Sequence, residues 1–129
     1  MKAIDTNIVL RVITADDTEQ TAQAERALRA GAFVTSGVLI ETEWVLRSHY
    51  KMSRHAIADA LAGLLMIEGI EHGDRDGVWW AIDRYRSGAD WADMIHLIDA
   101  AGLQAFITFD RDLETQAGSD APVAVELLR

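Results

Sequence analysis

Cysteine is absent from this 129-residue chain, which excludes disulfides, zinc–thiolate sites and thiol nucleophiles. Lysine is nearly absent, with Lys2 and Lys51 the only two. Positive charge is scarce altogether: 12 Lys and Arg stand against 21 Asp and Glu, a net charge of −9. That balance argues against nonspecific nucleic-acid binding through a basic surface. There is one proline, Pro122, and no repeat, low-complexity tract or Pro/Gly/Ser linker. No apolar run approaches the roughly 20 residues needed to span a bilayer. Met1-Lys2-Ala3-Ile4-Asp5 places an acid inside the would-be signal region, so a cytoplasmic protein is expected. What is plentiful is apolar surface: 50% of the residues are hydrophobic, enough for a sizeable core. The length suits a single domain over residues 1–129 and is too short for two ordinary ones.

Local patterns predict short strands alternating with helices. A strand is expected at about residues 2–5, with helices at about 6–14 and 18–30, the second ended by Gly31. A strand at about 32–35 leads to a helix at 37–50 capped by Ser36, then one at 54–66 capped by Ser53. A weak strand at 67–71, helices at 74–87 and 91–101, a strand at 104–108, a helical turn at 110–116 and a last strand at 122–126 complete the chain. Such alternation indicates an α/β sandwich with a mostly parallel sheet. In such sheets ligands bind beyond the carboxyl ends of the strands.

The acids fall at those ends. Asp5 closes the first apolar stretch, Glu41 lies six residues after Thr35, Asp90 and Asp93 open a helix, and Asp110 follows Ala105-Phe106-Ile107-Thr108-Phe109. Carboxylates gathered in one pocket repel one another unless a divalent cation fills it, which points to metal-assisted phosphodiester chemistry. Each acid also has a plainer reading. Asp5 and Asp110 suit helix caps, and an acid on an amphipathic helix, Glu41 or Glu43, is commonly solvated. Only one of those two would face a crevice, and Trp44-Val45-Leu46 reads as core. Asp90 and Asp93 lead into the apolar Met94-Ile95-His96-Leu97-Ile98 and need a partner, either a metal or an ion pair with Arg84 or Arg86. His96 reads as a ligand or as a packing residue. Trp79 and Trp80 suggest an interface with another subunit or protein.

Taken together, these segments resemble the PIN-domain ribonucleases, in particular the VapC-type toxins of toxin–antitoxin pairs. The resemblance rests on Ala3-Ile4-Asp5-Thr6-Asn7, on Val38-Leu39-Ile40-Glu41 with Trp44-Val45-Leu46-Arg47, on Ala89-Asp90-Trp91-Ala92-Asp93-Met94-Ile95, and on Thr108-Phe109-Asp110-Arg111-Asp112-Leu113. It implies a three-layer α/β/α sandwich with a short, mostly parallel central sheet, formed as one PIN-like domain. It implies a Mg²⁺- or Mn²⁺-dependent endoribonuclease, with Asp5, Glu41 and Asp93 as metal ligands and Asp90 and Asp110 completing the catalytic set. Glu41 rather than Glu43 is the helix acid, Asp99 and Asp112 are bystanders, and His96 has no assigned role. Implied partners are an RNA substrate, a second copy in a homodimer, and a small antitoxin that sets a basic or aromatic side chain into the acidic groove.

The expected reaction is hydrolysis of an RNA phosphodiester, with Arg11, Arg47 or Arg111 as candidate contacts to the RNA backbone. Two other acidic-pocket readings fail on composition. A phosphate-accepting receiver domain and a haloacid-dehalogenase-like phosphatase both need a late lysine, and Lys51 is the last one. The phosphatase also needs an acid where Asn7 stands. The alternative from a different class is a catalytically inactive PIN-like module that binds a partner through its tryptophan-bearing helices.

Overall fold

Five side chains set where helices begin. Asp5, Asp17, Thr35, Ser53 and Asp90 each turn an oxygen back onto the backbone N–H three residues on, at 3.1, 3.0, 3.3, 3.1 and 3.0 Å. Each such cap satisfies a donor with no partner inside its helix and contributes about 1 kcal/mol. The cap expected at Ser36 is Thr35 instead, because Ser36 already has helical geometry.

The computed structural model describes all of residues 1–129. They form two compact units, Met1–Arg75 and Asp76–Arg129. No helix is long and apolar enough to cross a membrane.

The first unit holds β1 (Lys2–Ala3), α1 (Thr6–Thr14), α2 (Thr18–Arg29), β2 (Ala32–Phe33), α3 (Ser36–Ser48), α4 (Arg54–Leu65) and β3 (Ile70–Glu71). The strands pair in parallel in the order β1-β2-β3, with Ala3 beside Phe33 and Phe33 beside Glu71. Each parallel pair is joined through two helices, as parallel pairing requires a long crossover. α1 packs on α2, α3 and α4. Their fully buried side chains include Val9, Leu28, Leu39, Leu46, Ile57 and Leu61. The strands are shorter than expected. The chain leaves β1 at Ile4 to place Asp5 as a cap, and only Ile70–Glu71 of the weak 67–71 stretch is strand.

The second unit holds α5 (Arg75–Arg86, which begins on the last residue of the first), α6 (Trp91–Asp99), β4 (Phe106–Thr108), α7 (Leu113–Ala117) and β5 (Val125–Leu127). β4 and β5 are parallel, with Phe106 beside Val125 and Thr108 beside Leu127. α6 buries Trp91, Met94, Ile95, Leu97 and Ile98. Trp91 meets the Tyr85 ring edge-on, with centroids 5.6 Å apart. The last strand starts three residues later than expected, after Pro122, whose nitrogen cannot donate to a ladder. Trp44, expected in the core, is 57% exposed. Its neighbours Thr42, Glu43 and Leu46 take the buried side of α3 instead.

One backbone approach binds the first unit tightly. Gly69 has φ +96°, and a Cβ there would lie 2.6 Å from the Leu28 carbonyl oxygen at the end of α2. The Gly69 carbonyl in turn accepts the Ala32 N–H at 2.8 Å, which starts the β2–β3 ladder. Gly69→Ala should therefore cost roughly 1–3 kcal/mol for the positive φ alone, and more for the clash. Gly63→Ala, in α4 where a Cβ meets nothing within 4 Å, should instead stabilise by about 0.5–1 kcal/mol. Urea denaturation of both variants checks this, and equal effects at the two positions would contradict it.

Candidate functional site

In the first unit Asp5 follows β1 and stands exposed at the head of α1. Its Oδ1 accepts the Ile8 N–H at 3.1 Å. The capping reading of Asp5 is therefore real, and it occupies one oxygen of the carboxylate. Thr6 is buried and Asn7 exposed. Glu41 is exposed in the second turn of α3. Glu43, expected to be solvated, is 5% exposed. Its Oε2 accepts from Arg47 Nε at 2.8 Å and its Oε1 from the Arg47 guanidinium at 3.4 Å. Two residues along a helix is a rotation of about 200°, so one acid faces in and the other out. Glu43, taken as the solvated bystander, is the inward one.

A polar pair that the sequence reading missed lies beyond β2 and β3. His72 Nδ1 accepts the Asp74 N–H at 3.0 Å, which leaves the proton of the neutral ring on Nε2. That proton points at Ser36 Oγ, 3.0 Å away. The ring stacks near Phe33, with centroids 6.1 Å apart. Although it is a serine beside a histidine, the tautomer makes His72 a donor to Ser36 rather than its base. No local signal marks the pair, since 36 positions separate the two residues.

In the second unit Asp90 caps α6, its Oδ2 accepting the Asp93 N–H at 3.0 Å. Asp93 lies in the first turn and is partly buried. Asp110 follows β4. Its N–H donates to Thr108 Oγ1 and its Oδ1 accepts the Asp112 N–H, both at 2.9 Å. Asp110 is thus held in a turn and does not cap α7. Asp112 stands at the head of α7 with no side-chain cap bond. Asp99 and His96 are exposed on α6, so His96 is not a packing residue.

Burial, then the charges of Asp90 and of Asp110, push the Asp93 carboxyl above the ordinary aspartate range, while His96 pulls it down. Three carboxylates therefore share one field. Arg84, a candidate ion-pair partner, is spent elsewhere: its Nε donates to the Gln116 carbonyl at 2.7 Å and its Nη2 to that of Thr115 at 3.2 Å. Gln116 Oε1 accepts the Asp90 N–H at 3.0 Å. The run Arg84–Gln116–Asp90 steadies the head of α6. It was not legible in sequence, because Gln116 lies 26 positions from Asp90.

The donors suit a hard divalent cation, which takes oxygen ligands, and a cation would relieve the repulsion at Asp93. Neither unit by itself gathers three acid or histidine side chains in a geometry that could hold a metal. Of the arginines considered for RNA contact, Arg11 is bonded to Gln20 at 2.6 Å and Asp16 at 3.4 Å, and Arg47 to Glu43. Arg111 is exposed.

The PIN domain family model matches residues 2–118, a span that runs through both units. The chain belongs to the PIN-domain family. Its seven helices and short parallel strands fit the three-layer α/β/α PIN-like fold. No curated protein matches the sequence. PIN domains are commonly nucleases and typically use divalent metals.

A carboxyl with a raised folded pKa holds its proton more tightly in the folded chain. Ionising it costs stability as pH rises from the ordinary value of about 3.9 through the raised one. In metal-free buffer Asp93→Asn should raise Tm at pH 7. At pH 3, below that value of about 3.9, the gain should disappear because Asp93 is then neutral. A Tm difference independent of pH would contradict the shared field.

Proposed function

We propose that this PIN domain is a Mg²⁺- or Mn²⁺-dependent endoribonuclease and the toxin of a toxin–antitoxin pair. It acts in the cytoplasm as a homodimer and as one domain over its whole length. The observation that carries the reading is the setting of Asp93, whose carboxyl is raised by burial and then by the charges of Asp90 and Asp110, while Arg84 is held by backbone carbonyls. A PIN domain with carboxylates in mutual repulsion at a helix head and a strand end suits a cation.

The reading assigns the cation to Asp5, Glu41 and Asp93. Bound there, it would lower the pKa of a water and neutralise charge on the phosphate. Asp90 and Asp110 have a different part. Each is fixed by backbone bonds, Asp90 through Asp93 and Gln116 and Asp110 through Thr108 and Asp112. Each keeps an oxygen free of those bonds, and one or the other would orient the attacking water or a second metal ion. The net charge of −9 leaves RNA affinity to local contacts and suits a cognate antitoxin that presents a basic segment.

The inactive binding module is kept as a second reading because Trp44 is 57% exposed on α3. An exposed indole is a feature of contact surfaces. Mapping cleavage of total RNA with Mg²⁺ separates the two. Asp5→Ala and Asp93→Ala should each lower the rate about 100-fold or more, the scale of losing a charged group at a reacting phosphate. Mg²⁺ should raise the wild-type Tm, and Asp5→Asn should abolish that shift. Intact cleavage by either alanine variant would sink the nuclease reading, and no Mg²⁺ effect on Tm or activity would favour the binding module.

A further inference from the structure

Parallel strands deliver the segments that follow them to the same end of the sheet. In the β4–β5 pair those segments each bring an arginine. Beyond Thr108 the chain is pinned twice, by the Asp110 N–H on Thr108 Oγ1 and by the Asp112 N–H on Asp110 Oδ1, with Arg111 between the two bonds. Beyond Leu127 the pairing runs one residue further, the Leu128 N–H donating to the Thr108 carbonyl at 2.8 Å, and Arg129 follows. Arg111, Leu127 and Arg129 line a cavity of about 250 Å³.

These guanidiniums differ from others in the chain. Arg11 and Arg47 are held by carboxylates, and Arg75 and Arg84 by backbone carbonyls. Arg111 and Arg129 enter no hydrogen bond or ion pair. Asp110 and Asp112, which flank Arg111 in sequence, form no ion pair with it. In a chain of net charge −9, two arginines without hydrogen bonds or ion pairs line one cavity, a lining suited to an anion. Their planar forks match phosphate oxygens in pairs. Leu127 adds an apolar wall against which a sugar can pack. The volume holds about eight waters' worth of liquid, at about 30 Å³ each, enough for a phosphodiester group with part of its ribose.

We propose that Arg111, Leu127 and Arg129 form a subsite for a backbone phosphate of single-stranded RNA. It would grip a nucleotide beside the bond to be cut. This rests on the nuclease reading, since Asp110 of the acid cluster immediately precedes Arg111. The subsite gives an acidic protein a local, sequence-independent hold on its substrate.

The test is binding of a fluorescein-labelled 12-nucleotide oligouridylate in EDTA across a series of salt concentrations. Arg111→Ala/Arg129→Ala should weaken binding and flatten the dependence of log Kd on log salt by about 1. The double lysine variant should keep most of that slope while losing affinity, because the charge survives and the fork does not. The Mg²⁺-induced rise in Tm should match wild type, since neither arginine is a metal ligand. An unchanged Kd and slope in the alanine variant overturns the subsite, even if wild type cleaves RNA. Wild-type binding with the expected slope but no Mg²⁺-dependent cleavage keeps the subsite and removes the nuclease reading. At matched ionic strength, inorganic phosphate that raises the Tm of wild type but not of the double variant, with RNA binding unaffected, would reassign the cavity to a free anion.

Discussion

Strands of only two or three residues cannot hold a sheet by ladder hydrogen bonds alone, and parallel ones cannot be closed by a tight turn. Each pair here needs helices to span it: α1 with α2, α3 with α4, and α7. The same requirement locates the chemistry. Within the first unit parallel pairing sends Asp5, Thr35 and His72 to the carboxyl ends of β1, β2 and β3. Within the second it sends Asp110 and Arg111, together with Arg129, beyond β4 and β5. At Gly69 the connection is so tight that backbone meets backbone. Short parallel sheets thus order the segments that follow them.

Charge is distributed to match. Arginine near the acid cluster of the second unit is diverted: Arg84 holds carbonyls at the end of α7. The Asp93 carboxyl is left to its burial and to the opposing fields of Asp90, Asp110 and His96. A fold selected for stability alone would pair these acids. Their mutual repulsion is what the proposed cation would relieve. On the first unit the contrast is sharper, because Glu43 is buried and paired whereas Glu41, two residues earlier, stays exposed.

Much of this was legible locally. Helix starts follow from side chains that bond three residues ahead, so the caps at Asp5 and Ser53 needed no tertiary information, and Asp17 and Asp90 cap in the same local way without having been read as caps. The nearly continuous apolar run Met94-Ile95-His96-Leu97-Ile98 marked α6 as buried, and Met94, Ile95, Leu97 and Ile98 are. The errors share one cause. Whether Ser36 caps α3 or begins it, whether Glu43 or Trp44 faces inward, and where the last strand starts after Pro122 each depend on what packs opposite. A helix with apolar and acidic residues on neighbouring faces leaves its rotation open until a partner chooses.

The sequence by itself determined the α/β class, the helix boundaries to within a few residues, and the order of acids along the chain, because these rest on backbone preference and on residues within a turn of one another. Only the tertiary structure decided which carboxylates are spent and which are free. It also placed Gln116 against Asp90, 26 positions away, and Arg129 on the same cavity as Arg111. Such contacts form over a few ångströms of space rather than along the chain.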